Sequence, residues 1–576
     1  MERRSEYKCM NENEKTVIYY NGVILTMDEV NPQAQAVSVQ NGRIKKVGTD
    51  EEVLAERMSE TVCIDLQGKT MLPGFIDGHS HFSGLATSLS QCDLSKAENF
   101  ADIERLLKEF IRKNEIPKGH WVTGVNYDHN FLTEKRHPDK ILLDRVSTDH
   151  PIVIVHASSH MGVANSMGLL QQGITDETKD PQGGRYGRME EFQECHNEMQ
   201  NQKMQNQNCC GDGEKKEGEP NGYMEENAFV QFRNRMPMPD IEDIMQQFVQ
   251  AQEIYAGYGI TTMQEGMVTP PLYGILQYAA ERDIFYLDLS GYLDLESSDE
   301  ASLKKAEDFG SYRKHLKMGG CKIFLDGSPQ GRTAWMLTPY EPEKEGDDDY
   351  CGYPVKTDEH LHELLEKAMR RHLQVLAHCN GDAAAQQYIT QFEKVCEEHP
   401  GYELHRPVMV HAQLVREEQL ARMKKLTMMP SFFVAHTYYW GDIHIRNFGM
   451  ERAKKISPAG TAQKMGIPFT FHQDSPVLPP DVFQTIWCAA KRVTKEGVQL
   501  SKEERVSVYE ALRAMTVYGA YQYGEENEKG TIEEGKLADL IITDRNPLEV
   551  PVDEVKDIRV METIKEGKTV FKRKES

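Results

Sequence analysis

Two histidines separated by one residue close the run Leu72-Pro73-Gly74-Phe75-Ile76-Asp77-Gly78-His79-Ser80-His81. On an extended chain, positions i and i+2 face the same way, so His79 and His81 can reach one metal ion. A purely structural histidine pair is the competing reading, and placement behind a β-like run with a Pro-Gly turn favours ligation. Two further apolar runs end the same way, Gln374-Val375-Leu376-Ala377-His378 and Pro407-Val408-Met409-Val410-His411. Either one alone also reads as a neutral histidine hydrogen-bonded at a strand end; the recurrence argues for convergent ligands. The run Ile467-Pro468-Phe469-Thr470-Phe471 leads into His472-Gln473-Asp474-Ser475-Pro476. Asp474 is then either a hard oxygen ligand that doubles as a base, or a cap for the turn before Pro476. Lys322, in Gly320-Cys321-Lys322-Ile323-Phe324-Leu325-Asp326, is a poor ligand while protonated. Burial eases loss of its proton, and addition of CO2 would make it an anion able to bridge two ions. An ion pair or a substrate-carboxylate contact remains open for Lys322, with Asp326 as the substitute ligand.

Such residues need a frame that brings distant chain segments to one place. Eight short apolar runs, at 70–76, 259–263, 285–289, 321–325, 373–377, 407–410, 426–429 and 467–471, alternate with helix-like stretches such as 358–371. That alternation predicts an α/β chain folded as a (β/α)8 TIM barrel, whose strand carboxyl ends share one face. The gap 83–258 is too long for a simple crossover and predicts an inserted subdomain after strand 1. Within it, 194–220 is rich in Gln, Asn, Glu and Lys and reads as a mobile loop. Near both termini, short β-rich segments broken by Asn-Gly and Gly turns predict a small β-sandwich built from 1–70 and 526–576, leaving 71–525 to the barrel.

Bulk properties narrow the partners. Of 576 residues, 39% are hydrophobic and 27% charged, with no apolar run near the ~18 residues a membrane span needs. The first residues carry charge without the apolar stretch of a secretory signal, and eleven scattered cysteines read as free thiols, so a cytoplasmic location is expected. A net charge of −24 argues against a nucleic-acid partner. A small-molecule substrate is expected, and a homodimer is the default assembly.

The order of these motifs closely resembles the amidohydrolase superfamily, in the branch of N-substituted formamide deformylases and YtcJ-like hydrolases. Beyond the runs above, the likeness includes Asn21-Gly22, Tyr127-Asp128, His156-Ala157-Ser158-Ser159-His160, Asn165-Ser166, Gly222-Tyr223-Met224, Gly259-Ile260-Thr261-Thr262, His378-Cys379-Asn380-Gly381-Asp382 and Gly535 to Leu540. The resemblance implies a metal centre of His79, His81, Lys322, His378, His411 and Asp474. It would hold two zinc or similar divalent ions bridged by carboxylated Lys322, or one ion. It implies hydrolysis of a non-peptide C–N bond of an amide or formamide by metal-activated hydroxide, with Asp474 as the catalytic proton shuttle. A deaminase or cyclic-amide hydrolase on the same scaffold, or an inactive binding protein that keeps the barrel, are the alternatives. His160, Asn165, Tyr127 and Trp335 are weaker candidates for substrate contact, each with a packing role as rival. Two departures from the family pattern are His472-Gln473, where a small residue and serine are usual, and Val410, where glutamate is common; the first would reshape the pocket beside Asp474.

Overall fold

Short runs of β-branched and aromatic residues, each closed by polar residues, form one eight-stranded parallel sheet in the computed structural model, which describes residues 15–129, 131–156, 161–189, 218–237, 240–305, 310–342, 349–401 and 405–574. Its strands are β1 (Phe75–Ile76), β2 (Ile260–Val268), β3 (Asp288–Asp294), β4 (Leu316–Phe324), β5 (Gln374–Cys379), β6 (Val408–His411), β7 (Met429–Phe432) and β8 (Thr470–Phe471). Each pairs in parallel with the next in sequence. The sheet curls: a Cβ placed on Gly78, two residues past β1, would lie 2.7 Å from Thr470 Oγ1 of β8. Helices such as Asp358–Arg370 and Asp382–Glu398 connect the strands, and covering both faces buries the strands almost throughout.

Three of the eight expected runs shift. The run at 70–76 is two strands, Thr70–Pro73 and β1, parted at Gly74, where an added Cβ would meet Thr261 at 2.5 Å. Only glycine lets the chain cross from one sheet to the next so close to β2. The apolar residues at 285–287 precede β3; the strand itself reads Asp-Leu-Ser-Gly-Tyr-Leu-Asp and hides its polar groups in the interior, with the Tyr292 hydroxyl donating to Gln374 Oε1 at 2.8 Å. Residues 426–428 belong to the end of helix Glu417–Lys425, with Thr427 in the left-handed region, and β7 starts only at Met429.

The terminal segments form two sheets. One has the order Arg43–Gly48, Ala36–Gln40, Val17–Tyr20, Val62–Asp65. The other runs Lys568–Lys572, Val560–Lys565, Leu540–Thr543, Thr70–Pro73, Val23–Leu25, Gln33–Ala34, so its strands come from both ends of the chain. Tyr19, Val37 and Val39 share a core with Ile24, Leu540 and Ile564. A second compact unit, Ala86–Gln247, has its own six-stranded mixed sheet and its own core around Ile103, Leu107, Val122 and Ile152. Of the loop expected at 194–220, residues 194–217 lie outside the described residues. Cys63, Cys92, Cys321, Cys351, Cys379, Cys396 and Cys488 are free thiols.

A buried ion cluster ties the terminal strands to the start of β3. Lys565 Nζ lies 2.8 Å from Asp288 Oδ2 and 2.9 Å from Asp539 Oδ2, and Lys529 Nζ lies 2.6 Å from Asp288 Oδ2. Burial pushes the Asp288 carboxyl up, but the two ammonium groups outweigh it and hold the group well below the usual range. Removing one partner strands uncompensated charge away from water. Asp288→Ala is therefore expected to destabilise the fold by about 3–5 kcal/mol, read as a lower urea midpoint at unchanged slope; an unchanged midpoint would contradict the assignment.

Candidate metal centre

Because the eight strands are parallel, their carboxyl ends open on one side, and the residues that follow them meet there. His79 and His81 lie three and five residues past β1, in irregular chain rather than on an extended strand. Backbone bonds fix this segment: Asp77 N to Thr262 O at 3.0 Å, Gly266 N to Ser80 O at 2.7 Å, and His81 N to Ser475 O at 2.8 Å. Lys322 lies on β4, His378 on β5, His411 at the end of β6, and Asp474 three residues past β8.

Four of these side chains converge. Asp474 Oδ1 is 3.4 Å from His79 Nε2 and 3.5 Å from His81 Nε2, and Lys322 Nζ is 3.1 Å from His79 Nε2. His378 Nδ1 and His411 Nε2 meet at 3.0 Å, and the His79 and His411 rings are 5.6 Å apart. Gln264 fixes the His79 tautomer. Its amide nitrogen donates to Gly78 O and to the Tyr523 hydroxyl, so its oxygen accepts from His79 Nδ1 at 2.6 Å and leaves the Nε2 lone pair facing Lys322 and Asp474. His378 Nε2 lies 3.0 Å from Asn380 Nδ2 and 3.4 Å from Gly327 O, and Nδ1 faces His411.

Electrostatics suits cation binding. Burial, reinforced by Lys322, holds the His79 imidazole well below its ordinary range and takes His378 to about 3. Burial and His378 lower His411 in the same direction. Burial pulls Lys322 down to about 7 and pushes Asp474 up. The imidazoles of His79, His378 and His411 are kept neutral for want of solvent, and neutral imidazoles are the form that ligates. Asp474 Oδ1 is buried and makes no hydrogen bond among the described residues, so it does not cap the turn before Pro476. An orphaned carboxylate oxygen facing two imidazole lone pairs fits a divalent ion. The backbone is strained at this rim, with φ of 72° at His411 and 53° at Asp474, both in the left-handed region that non-glycine residues avoid.

Asp326, the substitute ligand for Lys322, is occupied otherwise. Its carboxylate accepts from the Trp335, Asn380 and Gly381 amides and braces the loop around 326–335. Trp335 contributes its main chain there, its carbonyl accepting from Ala383 N. Asn165 is not a substrate contact: Oδ1 accepts from Ile152 N and Gly168 N while Nδ2 donates to Ser147 O and His150 O, which leaves its amide fully used in capping helix Ser166–Gln171. Tyr127 is buried in the second unit with its hydroxyl paired to His137 Nδ1 at 3.1 Å, a packing role. His160 lies outside the described residues. The sequence undervalued His472. Its ring is fully buried, 5.3 Å from His79 and 5.2 Å from His411, and neither nitrogen makes a hydrogen bond among the described residues. Its position two residues before Asp474 was the available signal.

The amidohydrolase family profile matches residues 62–196 and 191–571. The chain is 26% identical over 578 residues to the N-substituted formamide deformylase of Arthrobacter pascens, covering 97% of this chain and 99% of that protein. It is likewise 26% identical over 570 residues to the protein YtcJ of Bacillus subtilis (strain 168), covering 96% and 99%. A crystal structure of an uncharacterized metal-dependent hydrolase from Pyrococcus horikoshii OT3 superposes with a TM-score of 0.72 at 24% identity, covering 93% of this chain and 99% of that one, which shows the shared fold.

The hydrogen bond behind a ligating imidazole sets both its direction and its basicity. Gln264→Leu is expected to weaken divalent-ion retention by about 10–100-fold in competition with a chelator, and retention equal to the unaltered protein would show that His79 is not a ligand held this way.

Proposed function

Because the chain belongs to the amidohydrolase family, we propose that it hydrolyses a non-peptide C–N bond of a small N-acyl or N-formyl compound at the centre formed by His79, His81, Lys322, His378, His411 and Asp474. The observation that carries this is the meeting of His79 Nε2, His81 Nε2 and Asp474 Oδ1 within 3.5 Å of the shared carboxylate oxygen, at the carboxyl ends of a curled parallel sheet. The near-full-length similarity to an N-substituted formamide deformylase supports the amide or formamide class. A (β/α)8 barrel flanked by a sandwich of the terminal sheets is the architecture we assign.

In this reading the ions are zinc or a similar divalent metal. Such an ion supplies Lewis acidity toward a carbonyl oxygen and makes water a usable nucleophile near neutral pH. His79, His81 and Asp474 would hold one ion and His378 with His411 a second. Lys322, with its proton affinity lowered to about 7, has a free amine in reach at physiological pH. That amine could add CO2 with release of a proton, and the carbamate would supply an anionic ligand beside His79. Asp474 Oδ1, unpaired and made more basic by burial, takes the proton from the attacking water and passes it to the departing nitrogen. His472 walls the floor between His79 and His411, which excludes water beneath the ligands.

Asp474→Asn keeps an oxygen toward the histidines but removes the base. It is expected to lower kcat by about 10²–10⁴-fold with metal still bound, and full activity would sink the assignment. Across a panel of N-formyl, N-acyl, cyclic-amide and amino-heterocycle compounds, release of formate or another carboxylic acid is expected. Ammonia release from the amino-heterocycles alone would make the chain a deaminase.

A further inference from the structure

The second unit carries its own convergent set of metal-type ligands. Strands Val122–Tyr127 and Ile152–His156 are parallel neighbours, with Tyr127 paired to His156, so both deliver their carboxyl ends to the same spot. Asp128 and His129 follow the first strand directly, and His156 closes the second. Three donor atoms meet there: His129 Nδ1 to His156 Nε2 at 3.1 Å, His156 Nε2 to Asp128 Oδ1 at 3.4 Å, and His129 Nδ1 to Asp128 Oδ1 at 3.8 Å.

Those separations have a geometric meaning. Zinc bonds of about 2.0–2.2 Å at tetrahedral angles place neighbouring donor atoms about 3.3–3.6 Å apart. One edge of the observed triangle falls inside that range and the other two lie 0.2 Å to either side of it, so the three atoms could take three corners of a tetrahedron around one small ion. An N–H···N bond between the imidazoles and an Asp128–His156 hydrogen bond account for two edges separately, whereas one ion would account for all three together. We propose that Asp128, His129 and His156 form a second divalent-metal site of the zinc class, separate in sequence and in compact unit from the centre around Asp474.

The surroundings hold the ligands in place. The His137 ring lies 4.0 Å from that of His129, inclined by 31°, and its Nδ1 is engaged by the Tyr127 hydroxyl. Tyr127 meets His156 edge-on at 5.3 Å, and Tyr223 packs on His137 at 4.6 Å. His129 and Asp128 keep 27% and 24% side-chain exposure against 7% for His156. Among the described residues these three groups supply three ligand atoms, and two of the side chains are part-exposed.

The test uses the full chain, stripped with a chelator and equilibrated by dialysis against micromolar zinc, with bound zinc counted by plasma mass spectrometry and folding followed by circular dichroism. His129→Gln and Asp128→Asn, both at part-exposed positions, are each expected to bind one equivalent less than the unaltered chain while keeping its circular dichroism. The double variant His79→Ala/His81→Ala is expected to retain an equivalent that disappears when His129→Gln is added. Cobalt in place of zinc should give a tetrahedral visible spectrum in that double variant. An unchanged zinc count in both His129→Gln and Asp128→Asn would overturn the proposal and leave the cluster as a hydrogen-bonded polar patch. Loss of the main centre's zinc with this site intact would bear on Asp474 and its partners alone.

Discussion

Four imidazoles and a lysine share one buried space, and they can share it only while they are nearly all uncharged. His79, His378, His411 and His472 crowd within 4.5–5.6 Å ring to ring along the chain of contacts that links them, and Lys322 Nζ reaches His79. Two positive charges about 5 Å apart at an effective dielectric near 20 repel by about 3 kcal/mol, before the loss of hydration is counted. Desolvation consequently strips the protons, and what remains is a ring of nitrogen lone pairs around an orphaned carboxylate oxygen. On the reading proposed above, divalent cations held by His79, His81 and Asp474 and by His378 and His411 would engage these groups. The proposed chemistry rests on this constraint: neutral imidazoles to hold an ion, a lysine whose proton affinity burial lowers, and an aspartate whose basicity burial raises.

The fold supplies the crowding. A curled sheet of eight sequential parallel strands puts every carboxyl end on one side, and the ligands sit at or just past those ends. Close approach of neighbouring strands depends on small residues at a few points, of which Gly74 beside Thr261 and Gly78 beside Thr470 are the clearest. The left-handed backbone at His411 and Asp474 turns both side chains toward the shared space at some cost in strain, offset by the packing around them. Below the site, the Gln264, Tyr523, Gln522 and Gly78 hydrogen bonds lock the segment that carries His79.

Much of this was legible in the chain. The apolar runs before His378 and His411 are strands, one ending a residue past His378 and the other at His411. The ends of helices and strands were less so. Residues 426–428 read as a strand because their apolar side chains seal a helix end, and β3 was displaced because its own residues hide serine and tyrosine inside the sheet. Residues that act through others leave little local trace. Gln264 orients His79 from 185 residues away, and nothing in its neighbourhood announces that. Asn165 shows the opposite error: an Asn-Ser pair that looked available for a substrate is a helix cap with every hydrogen-bonding atom in use.

The central claim is that burial keeps the His79, His378 and His411 imidazoles unprotonated so that this space can hold metal. The direct measurement is X-ray diffraction with anomalous scattering at the zinc edge on crystals of the full chain grown with zinc and bicarbonate. The account predicts an ion about 2.0–2.2 Å from His79 Nε2, His81 Nε2 and Asp474 Oδ1, a second at His378 and His411, and carbamate density on Lys322 between them. A folded protein with no anomalous peak among His79, His81 and Asp474 under those conditions would contradict it.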